Sequence, residues 1–168
     1  LGTDTGGLVL EETPAWEFKG TLGGTRLGAS VGSAGNVNGD DYDDIVVGAP
    51  SFTQTEDKEG AAFLFHGSGS GPRATPNWTA YGGQAGGQFG FSVGTAGHIN
   101  GDGYADVIVG APYWDDGPTL DVGAAFAYTG SAAGVTADSS WMAVSDQASS
   151  RFGISVGRAG DLNGDGLD

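Results

Sequence analysis

Three stretches of the chain repeat one pattern at a nearly constant spacing, and that period limits what everything between them can fold into. Asp161-Leu162-Asn163-Gly164-Asp165-Gly166-Leu167-Asp168 sets side-chain oxygens at alternate positions and a glycine where the backbone must turn sharply. Asn36-Val37-Asn38-Gly39-Asp40-Asp41-Tyr42-Asp43-Asp44 and His98-Ile99-Asn100-Gly101-Asp102-Gly103-Tyr104-Ala105-Asp106 are looser copies. The loops begin at residues 36, 98 and 161. One loop per unit of that size marks a repeat architecture, in which each supersecondary unit buries its apolar face against the next.

The segments flanking the loops repeat in the same register. Trp16, Trp78 and Trp141 each sit in a short, roughly alternating stretch, the pattern of a half-buried strand. Leu27-Gly28, Phe89-Gly90 and Phe152-Gly153 open runs of small residues, which predict a strand closely approached by its neighbours. After the loops, Ile45-Val46-Val47-Gly48-Ala49-Pro50 and Val107-Ile108-Val109-Gly110-Ala111-Pro112 are β-branched runs stopped by proline, fitting strands buried on both faces. Gly60–His66 and Gly123–Tyr128 supply a further strand each, and no amphipathic helix is visible.

The fold expected is therefore all-β, made of β-propeller blades of four antiparallel strands. Residues 1–12 read as a flexible lead-in and 13–26 as the outer strand of a preceding blade. Residues 27–88 and 89–150 read as two blades, and 151–168 as the start of a third, cut within its loop. That makes ten strands, about two and a half blades, whereas closure takes four to eight blades. A partial propeller of this kind is expected to be completed by further blades of the same chain or by copies of itself, the former being preferred.

Phe89-Gly90 and Gly110-Ala111-Pro112, bracketing an aspartate loop, resemble the FG-GAP repeat of integrin α-subunit propellers and their bacterial relatives. The first repeat departs slightly, with Leu27-Gly28 before Gly48-Ala49-Pro50, and the third carries Phe152-Gly153 without its Gly-Ala-Pro. The resemblance runs from about Thr13 onward. It implies strands running outward from a central channel, and an extracellular or cell-surface adhesion module.

Calcium is a hard cation that takes six to eight oxygens from carboxylates, amides, backbone carbonyls and water. A nine-residue loop of form D-x-N-x-D-G-x-x-D offers side-chain oxygens at positions 1, 3, 5 and 9 and a carbonyl at 7. In the third loop these are Asp161, Asn163, Asp165 and the carbonyl of Leu167. The second offers Asn100, Asp102, Asp106 and the carbonyl of Tyr104, with His98, a poor ligand for a hard ion, in first place. The first offers Asn36, Asn38, Asp40, Asp44 and the carbonyl of Tyr42. There Asp41 replaces the turn glycine, which calls for positive φ. Affinity is expected to rank the completed third loop first, then the second and the first. The competing reading makes all three Asx turns that bond only their own backbone.

The 168 residues carry 21 acidic and 6 basic side chains, a formal charge of −15. Without basic clusters there is nothing to neutralise phosphates, so nucleic acid is excluded as a partner class. No apolar run approaches the roughly 20 residues of a membrane helix, so membrane insertion is not expected. With no cysteine and only His66 and His98 as imidazoles, no catalytic constellation forms, and the chain reads as no enzyme. Binding of a protein or carbohydrate ligand remains. Phe52, Tyr113, Trp114, Asp115 and Asp116 fall on the face opposite the aspartate loops, as a recognition patch or as residues folded inward over the sheet ends. Two other classes stay open: an accessory propeller of a larger secreted enzyme, and a self-associating surface or fibre component.

Overall fold

A computed structural model describes residues 14–168. Its regular elements are eight strands: β1 (Ser30–Gly35), β2 (Asp44–Ala49), β3 (Ala61–Phe65), β4 (Trp78–Tyr81), β5 (Ser92–Gly97), β6 (Asp106–Ala111), β7 (Ala124–Tyr128) and β8 (Trp141–Val144). They form two four-stranded antiparallel meanders, β1-β2-β3-β4 and β5-β6-β7-β8. No helix occurs among the described residues. The all-β blade architecture expected from the repeat is what forms.

Period-two alternation decides how the sheets stack. Val46, Ala62, Leu64, Trp78 and Ala80 point from the first sheet into a shared core with Val107, Val109, Phe126 and Tyr128 of the second. The residues between them, Val47, Phe63 and Phe65, point the other way and are covered by Trp16, Phe18, Leu27 and Phe52. A strand covered on both sides favours apolar, β-branched residues along its length, hence the continuous Ile-Val-Val and Val-Ile-Val runs.

The Phe-Gly pairs and Gly-Ala-Pro runs meet across this stack. Phe89, 1% exposed, inserts between blades with its ring 5.3 Å from that of Phe126. Its backbone pairs in parallel with Gly60 of the first blade, and Phe152 pairs in the same way with Gly123 of the second. Gly90 then lies against Gly48, where a Cβ would stand inside the shell of the Gly90 carbonyl oxygen; Gly110 and Gly153 repeat the contact. The two motifs are halves of one joint between consecutive blades.

Two expected strands are not paired. The stretch around Trp16 and residues 152–158 have no ladder partner among the described residues beyond the single bridge at Phe152. An extended segment becomes a strand only when a neighbour takes its N–H and C=O groups, and both segments touch the sheets through side chains or one bridge alone. The Leu27-Gly28 and Phe89-Gly90 pairs precede β1 and β5 as turns, with Gly28 and Gly90 at φ 83° and 81°, so the inner strands begin three residues later than the sequence pattern indicates. The lead-in up to residue 12 lies outside the described residues.

Candidate metal centre

The first two aspartate loops close the hairpins between β1 and β2 and between β5 and β6. A bulge prepares the bend: pairing shifts between Ser33 and Gly35 and again between Thr95 and Gly97. The Ser33 and Thr95 hydroxyls accept the Gly35 and Gly97 N–H groups at 3.0 Å.

The third and fifth positions behave alike in all three loops. Asn38 Nδ2 donates to Asp40 Oδ2 at 2.8 Å while Asp40 Oδ1 accepts the Tyr42 N–H at 2.8 Å. Asn100 with Asp102 and Tyr104, and Asn163 with Asp165 and Leu167, repeat this within 0.1 Å. The Asn38 amide and the Tyr42 N–H hold the Asp40 carboxyl below the usual carboxylate range, and the Leu167 N–H and Asn163 amide do the same for Asp165. Asp40 and Asp165 are therefore held ionised and fixed in direction.

The ninth position is different in kind. Asp44 and Asp106 are buried, at 1% and 0% exposure. Asp44 accepts N–H groups from Val37 at 2.9 Å and Gly67 at 2.8 Å. Asp106 accepts them from Ile99 at 2.8 Å and Gly130 at 2.9 Å. Each carboxylate thus pins its loop to the connection between the two outer strands. Burial still pushes both carboxyls above the ordinary value, against the pull of those N–H groups. No ion pair is formed by either among the described residues.

The first position varies most. Asp161 accepts the Gly166 N–H on Oδ2 at 2.8 Å and the Gly164 N–H on Oδ1 at 2.6 Å, which lowers its pKa. Asn36 accepts the Gly39 N–H at 2.8 Å and donates to the Asp40 carbonyl. Asp41 does not adopt the positive φ expected of it, whereas Gly103 and Gly166 both sit at φ 89°. The first loop turns without the left-handed residue, and the Asn36 side-chain amide bonds the Asp40 carbonyl across it. His98 takes no part in its own loop; its N–H donates to Asp168 Oδ2 at 2.8 Å, and Arg158 Nη2 lies 2.8 Å from Asp168 Oδ1.

The donor set fits a hard cation. Asn36, Asn38, Asp40 and Asp44, Asn100, Asp102 and Asp106, and Asp161, Asn163 and Asp165 offer only oxygens, joined by the carbonyls of Tyr42, Tyr104 and Leu167. Among the described residues no three carboxylate or imidazole side chains group as ligands of one ion. A cation held by these loops would have to draw on amide and backbone oxygens as well as carboxylates.

On the opposite face the candidate patch divides. Trp114 packs inward, its ring 5.3 Å from Phe126, and Phe52 packs 5.7 Å from both Phe63 and Tyr81. Tyr113 lies half-buried under the Arg151 guanidinium, 5.0 Å away. The Asp115 backbone exchanges two hydrogen bonds with the Gln84 side chain, at 2.6 and 3.0 Å. Asp116 is exposed.

One polar centre carries no repeat signal. Glu59, 1% exposed, accepts N–H groups from Gln54, Thr55 and Gly83 at 2.8, 2.7 and 3.0 Å and from Glu56 at 3.3 Å. The corresponding residue of the second blade is the buried Val122. The one signal in the sequence is an acidic residue directly before the glycine that opens a strand.

Comparison with known proteins agrees with this architecture. The FG-GAP repeat model matches residues 27–65 and 89–134, together about half of the chain. Integrin alpha-PS2 of Drosophila melanogaster is 36% identical over 134 residues, 74% of this chain and 9% of that protein. Integrin alpha-5 of Xenopus laevis is 32% identical over 159 residues, 90% of this chain and 15% of the relative. Integrin alpha-7 of Homo sapiens is 31% identical over 147 residues, 85% and 12% respectively. The chain thus spans well under a fifth of the length of these relatives. With both matched segments running from a Phe-Gly or Leu-Gly pair through the aspartate loop, the chain belongs to the FG-GAP repeat family.

Proposed function

We propose that this chain is a calcium-binding propeller segment serving extracellular adhesion or recognition, with a protein or carbohydrate as ligand. One observation carries the calcium reading. Asp44 and Asp106 are buried carboxylates with no cationic partner among the described residues, each ending a loop whose other donors are all oxygen. A buried charge is costly unless paired, and a divalent ion in the loop supplies the missing positive charge. The role of the ion is structural: it holds the hairpin bend and discharges crowded carboxylates.

The adhesion reading rests on the similarity to integrin alpha chains and on the opposite face, where Tyr113, Arg151 and Asp116 stand at the blade ends. Calorimetric titration of the chain with calcium chloride tests the first part; saturable uptake supports it, and no heat of binding at millimolar calcium overturns it. Retention of extracellular-matrix proteins and glycans on the immobilised chain tests the second. Retention that is lost on chelation and weakened by Tyr113→Ala or Asp116→Ala supports recognition, and retention indifferent to all three counts against it.

A further inference from the structure

Resting on the reading that the loops hold calcium, the geometry points to a regulatory property of the set: the loops fill as a coupled series, each cation raising the affinity of the loop in the preceding blade.

Successive loops touch at matching positions. The seventh residue of the second loop, Tyr104, lays its ring on the fourth-position glycine of the first, so that a Cβ at Gly39 would come 2.5 Å from the ring. The seventh residue of the third, Leu167, stands in the same way on Gly101, at 2.8 Å from such a Cβ. The eighth residue grips the first residue of the preceding loop. Ala105 donates its N–H to the Asn36 carbonyl at 2.9 Å, and the Asp168 carboxylate accepts the His98 N–H at 2.8 Å. The ninth residue adds a relay: Asp106 accepts the Gly130 N–H at 2.9 Å, and the adjacent Ser131 N–H donates to the Val37 carbonyl at 3.0 Å.

Residues 104–106 are thus the part of the second loop that supplies the seventh-position carbonyl and the ninth-position carboxylate, and also the part that holds the first loop. A cation that orders them removes part of the ordering cost that the first loop would otherwise meet. Less ordering left to do means tighter binding, with no change of shape required. Linkage makes the effect reciprocal, and couplings of this kind amount to about 5–150-fold in affinity.

The test is hydrogen–deuterium exchange of the full chain against calcium concentration, with separate midpoints for residues 36–44, 98–106 and 161–168. Asp102→Asn removes one carboxylate from the second loop, and that side chain bonds only Asn100 and the Tyr104 N–H. Tyr104→Ala removes the ring and keeps the carbonyl. Exchange across β2 and β6 shows that both variants remain folded. The expected result is that Asp102→Asn raises the first-loop midpoint about five-fold or more along with that of the second, and that Tyr104→Ala shifts the first loop more than its own. An unchanged first-loop midpoint in both variants, with wild-type loops protected by calcium, overturns the coupling and leaves the calcium reading standing. Absence of calcium-dependent protection in every wild-type loop overturns both.

Discussion

Gly90 and Gly28 occupy the same place in consecutive repeats and the same left-handed backbone, yet their surroundings differ completely. A Cβ at Gly90 would run into the Ala61 carbonyl, while one at Gly28 would meet nothing within 4 Å. Gly28→Ala should therefore cost only the backbone term, about 1–2 kcal/mol. Gly90→Ala adds a steric conflict with main chain that cannot rotate away, and should cost at least about 2 kcal/mol more than its counterpart. Urea denaturation of the two variants measures the difference directly; equal losses would mean that the blade joint yields without strain. Glu59 poses the other question at this scale. Burial raises its carboxyl pKa, and the N–H groups of Thr55, Gln54, Glu56 and Gly83 outweigh that and hold it below the ordinary glutamate value. A carboxylate whose pKa is depressed by folding contributes stability that is complete above the unfolded value, about 4.3, and that fades as pH falls through the lower, folded value. Glu59→Gln should cost on the order of 1.5–3 kcal/mol near neutrality and flatten the acid limb of the stability curve. Melting profiles from pH 3 to 7 would reveal it; parallel acid limbs for the two proteins would remove Glu59 from the account.

The outer strands connect the blades through tryptophan. Trp78 on β4 stands 4.9 Å from the Tyr128 ring and donates its Nε1–H to the Thr136 carbonyl at 2.8 Å. Trp16 repeats both contacts on the first blade, with Phe65 at 5.1 Å and the Arg73 carbonyl at 2.9 Å, without belonging to a ladder. Trp141 on β8 is 49% exposed in this chain. Trp78→Ala should accordingly cost about 3–5 kcal/mol and Trp141→Ala under about 1 kcal/mol, readable as midpoints in guanidinium. The recurrence of tryptophan made an interface residue legible in the sequence, and the β-branched runs made the doubly covered strands legible for the same reason: repetition leaves a signal at every copy. What repetition does not carry was hidden. Glu59 has Val122 as its counterpart, so no register points to it. Asp41 occupies a position where its two counterparts are left-handed glycines, and nothing local reports that the Asn36 amide closes that turn instead. The inward packing of Trp114 and Phe52 depended on which side of a loop faces the sheet, which an aperiodic loop does not encode.

At the scale of the whole molecule, charge decides. A formal charge of −15 works against the compact state through self-repulsion, and six carboxylates are concentrated in the loops' fifth, ninth and first positions, at Asp40, Asp44, Asp102, Asp106, Asp161 and Asp165. Two remedies are physically distinct. Monovalent salt screens exposed charges over a Debye length of about 8 Å at 0.15 M and leaves buried groups such as Asp44 and Asp106 little affected. A cation bound in the loops stabilises by mass action, by about 2.7 kcal/mol per independent site at a hundred times its dissociation constant. Melting the chain in millimolar calcium, in the same buffer with chelator, and in sodium chloride of matched ionic strength separates them. The expected outcome is a rise of several degrees with calcium, with magnesium giving less because its smaller octahedral shell fits a mixed loop poorly, and sodium giving the least. Asp106→Asn should then remove part of the calcium increment while leaving the sodium response in place. Equal shifts for calcium and matched sodium chloride would reduce the loops to screened surface charge held by Asx turns, and the propeller would owe its stability to its packed core and blade joints without help from a cation.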